Sequence, residues 1–392
     1  MQEVNIEKKS DLVTINLFGR IDSNNAPLVE TEVLKDLEGN TLPIIIDASG
    51  LEYISSAGLR VLLHIRKQNE ELKIVNVSSE VYEILDMTGF NQMMDVEKAY
   101  KVVSIEGCEV IGQGANGTIY RFDKDNVVKV YNNADALSEI QHEREVARLA
   151  LVLGIPTAIS YDVVKVGDSY GSVFELLNAR SFSKIMSNEP DKFDWCVGEF
   201  TGMLKKIHET EVPEGKLPKI KETVLNWTEF VKDYIPAEYY EKLKKMVEEV
   251  PEDNHMIHGD YHTKNLELQG DEVLLIDMDT LAVGHPIFEF ASMYNSFIGY
   301  GEYDSKHVSE FLGFSMETSE RFFRSVLATY LGTNDENRLK KIEEKASIVG
   351  HTRMIRRSIR RKGLETEEGR AEIELWKKTL LSLLDRTDTL LF

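Results

Sequence analysis

His258-Gly259-Asp260-Tyr261-His262-Thr263-Lys264-Asn265, followed by Ile276-Asp277-Met278-Asp279, is the stretch that decides the fold of this chain. It has the form H-G-D-x-x-x-x-N and then I-D. Phosphoryl transfer asks little covalent chemistry of a protein. It needs one carboxylate to aim a hydroxyl and hard oxygen ligands to hold Mg²⁺ on the nucleotide phosphates. Asp260 suits the first task, and Asn265 and Asp277 suit the second. His258 has no neighbouring metal ligands, so it is expected to brace the loop, and His262 is a second candidate for a structural role. Gly259 permits a tight turn beside the base. An Asp-rich surface loop is the alternative, and the residues upstream weigh against it.

Upstream, Ile111-Gly112-Gln113-Gly114-Ala115-Asn116-Gly117-Thr118-Ile119-Tyr120 contains G-x-G-x-x-G. By itself this is a weak signal, since dinucleotide sites share it. A dinucleotide site continues into a helix. Here Thr118-Ile119-Tyr120-Arg121-Phe122 reads as a strand, Asp123 to Asn126 as a turn, and Val127-Val128-Lys129-Val130-Tyr131 as a second strand. Strand, glycine loop, strand, turn and a strand with a central lysine is the order of a kinase nucleotide lobe. Gly112, Gly114 and Gly117 would let the backbone approach the phosphates of ATP, and Lys129 would contact the α- and β-phosphates. A solvated strand lysine is the alternative. Lys129 needs an acidic partner, and the helical stretch Ser138 to Leu153 offers Glu143 and Glu145. Val146, Ala147 and Ala150 share one apolar face with Glu143, which favours Glu143 over Glu145. Ser172-Val173-Phe174-Glu175-Leu176-Leu177 reads as the last strand of the lobe and leads to a hinge. Its backbone at Glu175 and Leu177 is expected to bind the adenine.

Composition bounds the rest. The 392 residues leave room for two or three domains, each with its own core. Lys and Arg number 46 against 67 Asp and Glu, a net charge of −21. Such an acidic surface repels nucleic acid and anionic membranes, so neither is an expected partner, and it suits cationic small molecules. Cys108 and Cys196 form no metal spacing or disulfide framework, which points to a reducing cytoplasm. The first nine residues have no apolar signal-peptide core. No apolar run approaches the roughly 20 residues needed to cross a bilayer.

Residues 1 to 99 alternate strand-like and helix-like segments. Leu12 to Leu17, Pro43 to Asp47 and Lys73 to Val77 read as strands, and Ala26 to Leu37 and Gly58 to Lys67 as helices. This predicts an α/β layer with a mixed sheet. Asp47-Ala48-Ser49-Gly50-Leu51-Glu52-Tyr53-Ile54-Ser55-Ser56-Ala57-Gly58-Leu59 reads as a strand ending in a loop, with two serines just before an apolar-faced helix. A phosphate on Ser56 would sit near a helix N-terminus, where free N–H groups favour an anion. The alternative is that Ser55 or Ser56 only caps the helix. Together with Phe18-Gly19-Arg20-Ile21-Asp22, this serine loop resembles the STAS domain, the fold of anti-sigma-factor antagonists, over nearly all of residues 1–99. The resemblance implies a protein partner and makes Ser56 the candidate phosphosite. The residue before that serine is often Asp in the family and is Ser55 here.

The chain from 100 to 392 resembles the aminoglycoside phosphotransferase and choline kinase group, relatives of the protein kinases, most clearly over residues 105–290. The resemblance implies a bilobal α+β fold, with a β-rich lobe over about 100–178 and a helical lobe over about 179–392. It makes Asp260 the catalytic base, Asn265 and Asp277 the Mg²⁺ ligands, and Lys129 the ATP contact. His-Gly-Asp in place of His-Arg-Asp points to the small-molecule branch. Family members often continue with G-x-P-x-x-D, and here Gly284-His285-Pro286-Ile287-Phe288-Glu289 puts Glu289 at the Asp site. Farther on, Arg353, Arg356, Arg357, Arg360, Arg361 and Lys362 recur at helical spacing as a basic face. This face would bind an anionic substrate or dock the acidic N-terminal domain. The alternative is a solvated face pairing with Glu365.

The expected function is Mg·ATP-dependent phosphorylation of a small-molecule hydroxyl, with a regulatory STAS module. The first alternative is a signalling switch in which the kinase half phosphorylates Ser56. The second is a non-catalytic nucleotide sensor.

Overall fold

The computed structural model describes residues 3–69, 71–114, 117–134 and 136–392. Ala115 and Asn116 of the glycine loop lie outside the described residues. The chain forms two compact units. One comprises Met1–Cys108 with Val130–Ala134 and Val163–Gly171, and the other comprises Glu109–Lys129, Asp135–Asp162 and Ser172–Phe392.

The first unit begins with β1 (Val4–Lys8), β2 (Val13–Ile21), α1 (Ala26–Asp36), β3 (Ile44–Ile54), α2 (Ser56–Gln68), β4 (Leu72–Val77), α3 (Ser79–Met87) and β5 (Asp95–Lys98). The strands lie in the order β1-β2-β3-β4-β5. The β1–β2 pair is antiparallel and the remaining pairs are parallel, so the sheet is mixed. Alternation fixes which side is buried. Val13, Ile15 and Leu17 of β2 and Ile44 and Ile46 of β3 meet Val29 and Val33 of α1 and Leu62 and Ile65 of α2 in one core. Strand β3 does not end near Asp47, where the sequence pattern stops, but runs on to Ile54. Register shifts around Phe18 and Gly19 let β2 follow it, and a Cβ on Gly50 would come within 2.4 Å of the Phe18 ring. A bulge with a glycine contact hides such a strand from a periodicity argument.

The strands and helices of the remaining chain are β6 (Lys101–Val102), β7 (Val110–Gln113), β8 (Gly117–Arg121), β9 (Asn126–Tyr131), α4 (Leu137–Val152), β10 (Asp162–Val166), β11 (Ser169–Glu175) and β12 (Arg180–Ser181). Then follow α5 (Phe182–Asn188), α6 (Phe193–His208), α7 (Ile220–Val231), α8 (Ala237–Glu248), β13 (Met256–Ile257), β14 (Leu266–Gln269), β15 (Glu272–Leu275) and β16 (Ala282–Val283). The chain closes with α9 (Ile287–Phe297), α10 (Lys306–Leu312), α11 (Met316–Leu331), α12 (Glu336–Arg360) and α13 (Glu367–Arg386). Strands β7 and β8 form an antiparallel hairpin. The pair β14–β15 and the pair β13–β16 are also antiparallel.

The core of the second unit centres on α6, α9, α11 and α12, with Phe200, Phe290, Phe297, Phe322 and Phe323 fully buried. Helix α12 packs along α9. Gly350 permits the close approach, since a Cβ there would lie 2.5 Å from Asn295 Oδ1 and 3.1 Å from the Tyr294 ring. One turn farther along α12 stands Arg353. No helix among the described residues is long and apolar enough to cross a membrane.

Candidate active site

Residues 258–265 join β13 to β14, and Asp277 follows β15, so two short strand pairs carry the acidic motif. The loop is stitched to the turn beyond β15. Ile276 N–H donates to the Asn265 carbonyl at 2.9 Å, and Thr280 Oγ1 donates to the His258 carbonyl at 2.7 Å. His258 is fully buried. Its Nδ1 accepts from Asp260 N–H at 3.3 Å, and its Nε2 lies 3.2 Å from the Ile276 carbonyl. Those partners assign the proton to Nε2 and make His258 a brace between the two motif segments. Gly259 has φ +80°, and a Cβ there would strike the Thr280 carbonyl at 2.7 Å, so the turn requires glycine.

Glu289 is fully buried and holds the same loop from below. Its carboxylate accepts His258 N–H at 2.6 Å and Gly259 N–H at 3.1 and 3.3 Å. Glutamate at the position where the family often has aspartate thus serves the loop backbone.

Asp260 lies beside His262 and Arg353. His262 Nε2 is 3.5 Å from its Oδ2, and Arg353 Nη2 is 3.8 Å from its Oδ1. Burial pushes the Asp260 carboxyl up, but the His262 hydrogen bond and the charges of His262 and Arg353 outweigh it and hold the group well below the usual carboxylate range. Asp260 is therefore ionised at neutral pH and suited to accept a hydrogen bond from a hydroxyl. Asn265 donates through Nδ2 to the Asp260 carbonyl at 3.0 Å, which directs its Oδ1 elsewhere. Asp277 adopts a left-handed backbone with φ 62° and ψ 64°, a conformation costly for a residue with a side chain. Such local strain concentrates at functional turns.

Lys129 on β9 donates to both carboxylate oxygens of Glu143 at 2.9 Å and lies 3.7 Å from Asp277 Oδ1. Glu145 is exposed on the other side of α4. In the β7–β8 hairpin, Gly114 N–H donates to the Gly117 carbonyl at 2.9 Å. Among the described residues, a Cβ on Gly112 or Gly114 would meet no heavy atom closer than 3.5 Å or 3.8 Å respectively. Packing against the described residues does not require those two glycines. At the end of β11, Leu176 N–H donates to the Asp125 carbonyl at 2.7 Å. In an extended segment Glu175 and Leu177 then point their backbone groups the other way.

The donor set of Asn265 and Asp277 is all oxygen, which fits Mg²⁺. Asp279 adds a carboxyl pushed up to about 7, first by burial and then by the charge of Asp277. Two crowded carboxyls of this kind are relieved by a bound cation. Sequence periodicity offered no role for Asp279.

The basic face is packed in part: Arg353, Arg356 and Arg357 are half-buried, while Arg360, Arg361 and Lys362 are exposed. Arg353 Nη1 donates to the Gly259 carbonyl at 3.0 Å and to Ser292 Oγ at 3.1 Å, and its guanidinium lies 5.4 Å from the Trp227 ring. Arg356 stands over Phe230, and Arg357 reaches the Tyr300 hydroxyl. Glu365 forms no ion pair with any of them among the described residues.

In the first unit, Ser55 is the cap of α2, its Oγ accepting from Ala57 N–H at 3.2 Å and Gly58 N–H at 3.4 Å. Ser56 is the first residue of the helix and is exposed.

The STAS domain model matches residues 3–103, and the model of the phosphotransferase enzyme family matches residues 107–313, more than half of the chain. The anti-sigma factor antagonist BtrV of Bordetella bronchiseptica is 30% identical over 98 residues, covering 24% of this chain and 84% of that protein. The anti-sigma-B factor antagonist of Bacillus subtilis is 27% identical over 97 residues, covering 24% and 88%. Among solved structures, the GDP and kanamycin complex of APH(2")-IIIa is similar with a TM-score of 0.49 and 14% identity, over 77% of this chain and 98% of that one. A choline/ethanolamine kinase family protein of Mesorhizobium loti is similar with a TM-score of 0.45 and 13% identity, over 71% and 88%. The chain belongs to the phosphotransferase enzyme family, and it carries at its N-terminus a STAS domain of the anti-sigma factor antagonist kind.

Proposed function

We propose that the second unit transfers the γ-phosphoryl group of ATP to the hydroxyl of a small molecule, and that the STAS domain regulates it. The observation that carries this is the joined set of Lys129, Glu143 and Asp277 on one side and Asp260 with Asn265 on the other. Lys129, fixed by Glu143, would hold the α- and β-phosphates, and the β7–β8 hairpin at Gly112, Gly114 and Gly117 would approach them with its backbone. Glu175 and Leu177 would offer hinge backbone to the adenine. Asn265 and Asp277 would hold Mg²⁺, which when bound neutralises phosphate charge. Asp260 would accept a hydrogen bond from the acceptor hydroxyl and aim its oxygen at the γ-phosphorus. Its strongly acidic carboxyl is a weak base, so it orients the hydroxyl early and takes the proton late. That suits a loose transition state in which the nucleophile needs little activation.

The test is acceptor-dependent release of ADP by the full chain with Mg·ATP, with Asp260→Asn as control. General-base or orienting carboxylates contribute about 10²–10⁴-fold. An Asp260→Asn variant as active as wild type removes the proposal.

A second reading has its own observation. Because Ser55 caps α2, Ser56 is left exposed and its hydroxyl has no hydrogen-bond partner among the described residues. The kinase half would then phosphorylate Ser56, in the same or another copy, and change the docking of a protein partner. Intact mass after incubation with Mg·ATP decides this. No added phosphate, or phosphate that persists in Ser56→Ala, excludes it.

A further inference from the structure

The net charge of −21 suggests cationic acceptors, yet the side of Asp260 that faces α12 carries the opposite sign, while Asp277 and Asp279 lie on its other side. Arg353 touches the Asp260 loop directly, 3.8 Å from the carboxylate and 3.0 Å from the Gly259 carbonyl. Arg356 and Arg357 follow it on the same face of α12, one turn along, or roughly 5 Å at a rise of 1.5 Å per residue. Aromatic side chains place these guanidinium groups. Trp227 and Phe230 on α7 lie 5.4 and 5.8 Å from Arg353 and Arg356, and Tyr300 lies 5.2 Å from Arg357. Among the described residues no carboxylate lies within ion-pair distance of Arg356, Arg357, Arg360 or Arg361. In a protein with 67 acidic residues, α12 thus carries two adjacent rows of arginines without a carboxylate partner among the described residues, Arg356 beside Arg353 and Arg360, and Arg357 beside Arg361. Burial and this crowding push two of these guanidinium groups below the usual arginine range. Arg356 is pushed down first by burial and then by the charges of Arg360 and Arg353, and Arg361 first by the charge of Arg357.

We infer that the phosphoryl acceptor is an anionic hydroxy compound, whose carboxylate or phosphate is clamped by Arg356 and Arg357 while its hydroxyl lies between Asp260 and Arg353. This rests on the phosphotransferase reading above. Planar, forked guanidinium groups match carboxylate and phosphate oxygens in pairs, which a point-charge lysine does not. The single turn between Arg353 and the Arg356–Arg357 pair implies that anion and hydroxyl are only a few bonds apart. In the transfer, the acceptor oxygen bonds to the γ-phosphorus and the bond from that phosphorus to the β–γ bridging oxygen breaks. The electron pair leaves with ADP, and the hydroxyl proton passes to Asp260. Arg353 positions the loop and the hydroxyl without taking a proton.

The full chain is titrated calorimetrically with glycerol 3-phosphate and with glycerate in the presence of Mg·ADP. Glycerol serves as the uncharged probe and choline as the cationic one. We expect one or both anions to bind at least about tenfold more tightly than glycerol, and Arg356→Glu and Arg357→Glu each to weaken them about 10- to 100-fold. In turnover the loss falls on KM more than on kcat. Arg356→Lys restores part of the affinity and serves where the charge reversal fails to fold. Anions that bind no more tightly than glycerol, a preference for choline, or anion affinity that survives both reversals overturns the inference. Preference for glycerol 3-phosphate over glycerate, or the reverse, separates phosphate from carboxylate. Binding of Mg·ATP to the wild type is measured alongside. Its absence removes the phosphotransferase reading, whereas nucleotide binding without anion preference removes only the acceptor class.

Discussion

Replacing Glu289 separates loop support from chemistry. The side chain is fully buried, and its carboxylate receives the backbone N–H of His258 at 2.6 Å and of Gly259 at 3.1 and 3.3 Å. Glu289→Ala leaves two buried donors without an acceptor. At about 1–3 kcal/mol for each orphaned group, the loss is about 2–6 kcal/mol. That is a large part of the 5–15 kcal/mol that typically holds a domain together. A large domain shifts its melting point by about 2–4 °C per kcal/mol, so the variant melts roughly 4–24 °C lower. Glu289→Gln keeps one carbonyl oxygen and turns an NH₂ towards the other donor, so it loses about half as much. Activity falls further than stability. Asp260 is two residues from His258, and displacing an orienting group by about 1 Å costs on the order of 10²-fold. Circular dichroism melts read the first effect, and acceptor-dependent ADP release at a temperature where both variants are folded reads the second. An alanine variant that melts within about 2 °C of wild type and keeps its turnover would refute the assignment of those two amides to Glu289.

Three further outcomes follow from the structure. Glu143→Gln weakens the anchor of Lys129 and lowers nucleotide turnover about 10- to 100-fold, the size of a lost charged hydrogen bond, while Glu145→Gln on the exposed side changes it little. Ser55→Ala costs α2 about 1 kcal/mol of capping, seen as roughly fivefold faster amide exchange at Ala57 and Gly58, whereas Ser56→Ala leaves those amides unchanged. Cys196 is fully buried, and burial pushes its thiol up to about 11. Iodoacetamide at pH 8 therefore adds one group at most to the folded chain, at Cys108, and a second only after unfolding, as intact mass will show.

Much of the candidate site is legible in the chain because its parts are local. Asp260 and Asn265 share one loop, Asp277 follows one hairpin later, and Lys129 stands a fixed distance beyond a glycine loop. Their residue types and order express the chemistry without reference to packing. The choice of Glu143 over Glu145 was also within reach, since α4 has a single apolar face and Glu143 lies on it. Less was legible in the first unit. The alternation in β2 and β4 showed strands, but β3 outran its apolar core to Ile54 because the bulge at Phe18 and Gly19 breaks the period.

Sequence alone determined the two-part organisation, the mixed α/β domain followed by a kinase-like one, and the carboxylates and lysine that suit phosphoryl transfer. Only the tertiary structure decided what surrounds Asp260. Arg353 arrives there from 93 residues farther along, because Gly350 lets α12 close on α9, and no local pattern encodes that approach. The same long-range packing turned Glu289 towards two loop amides and set aromatic rings under three arginines. Contacts made between distant segments depend on how helices pack, and a run of residue types does not carry that information.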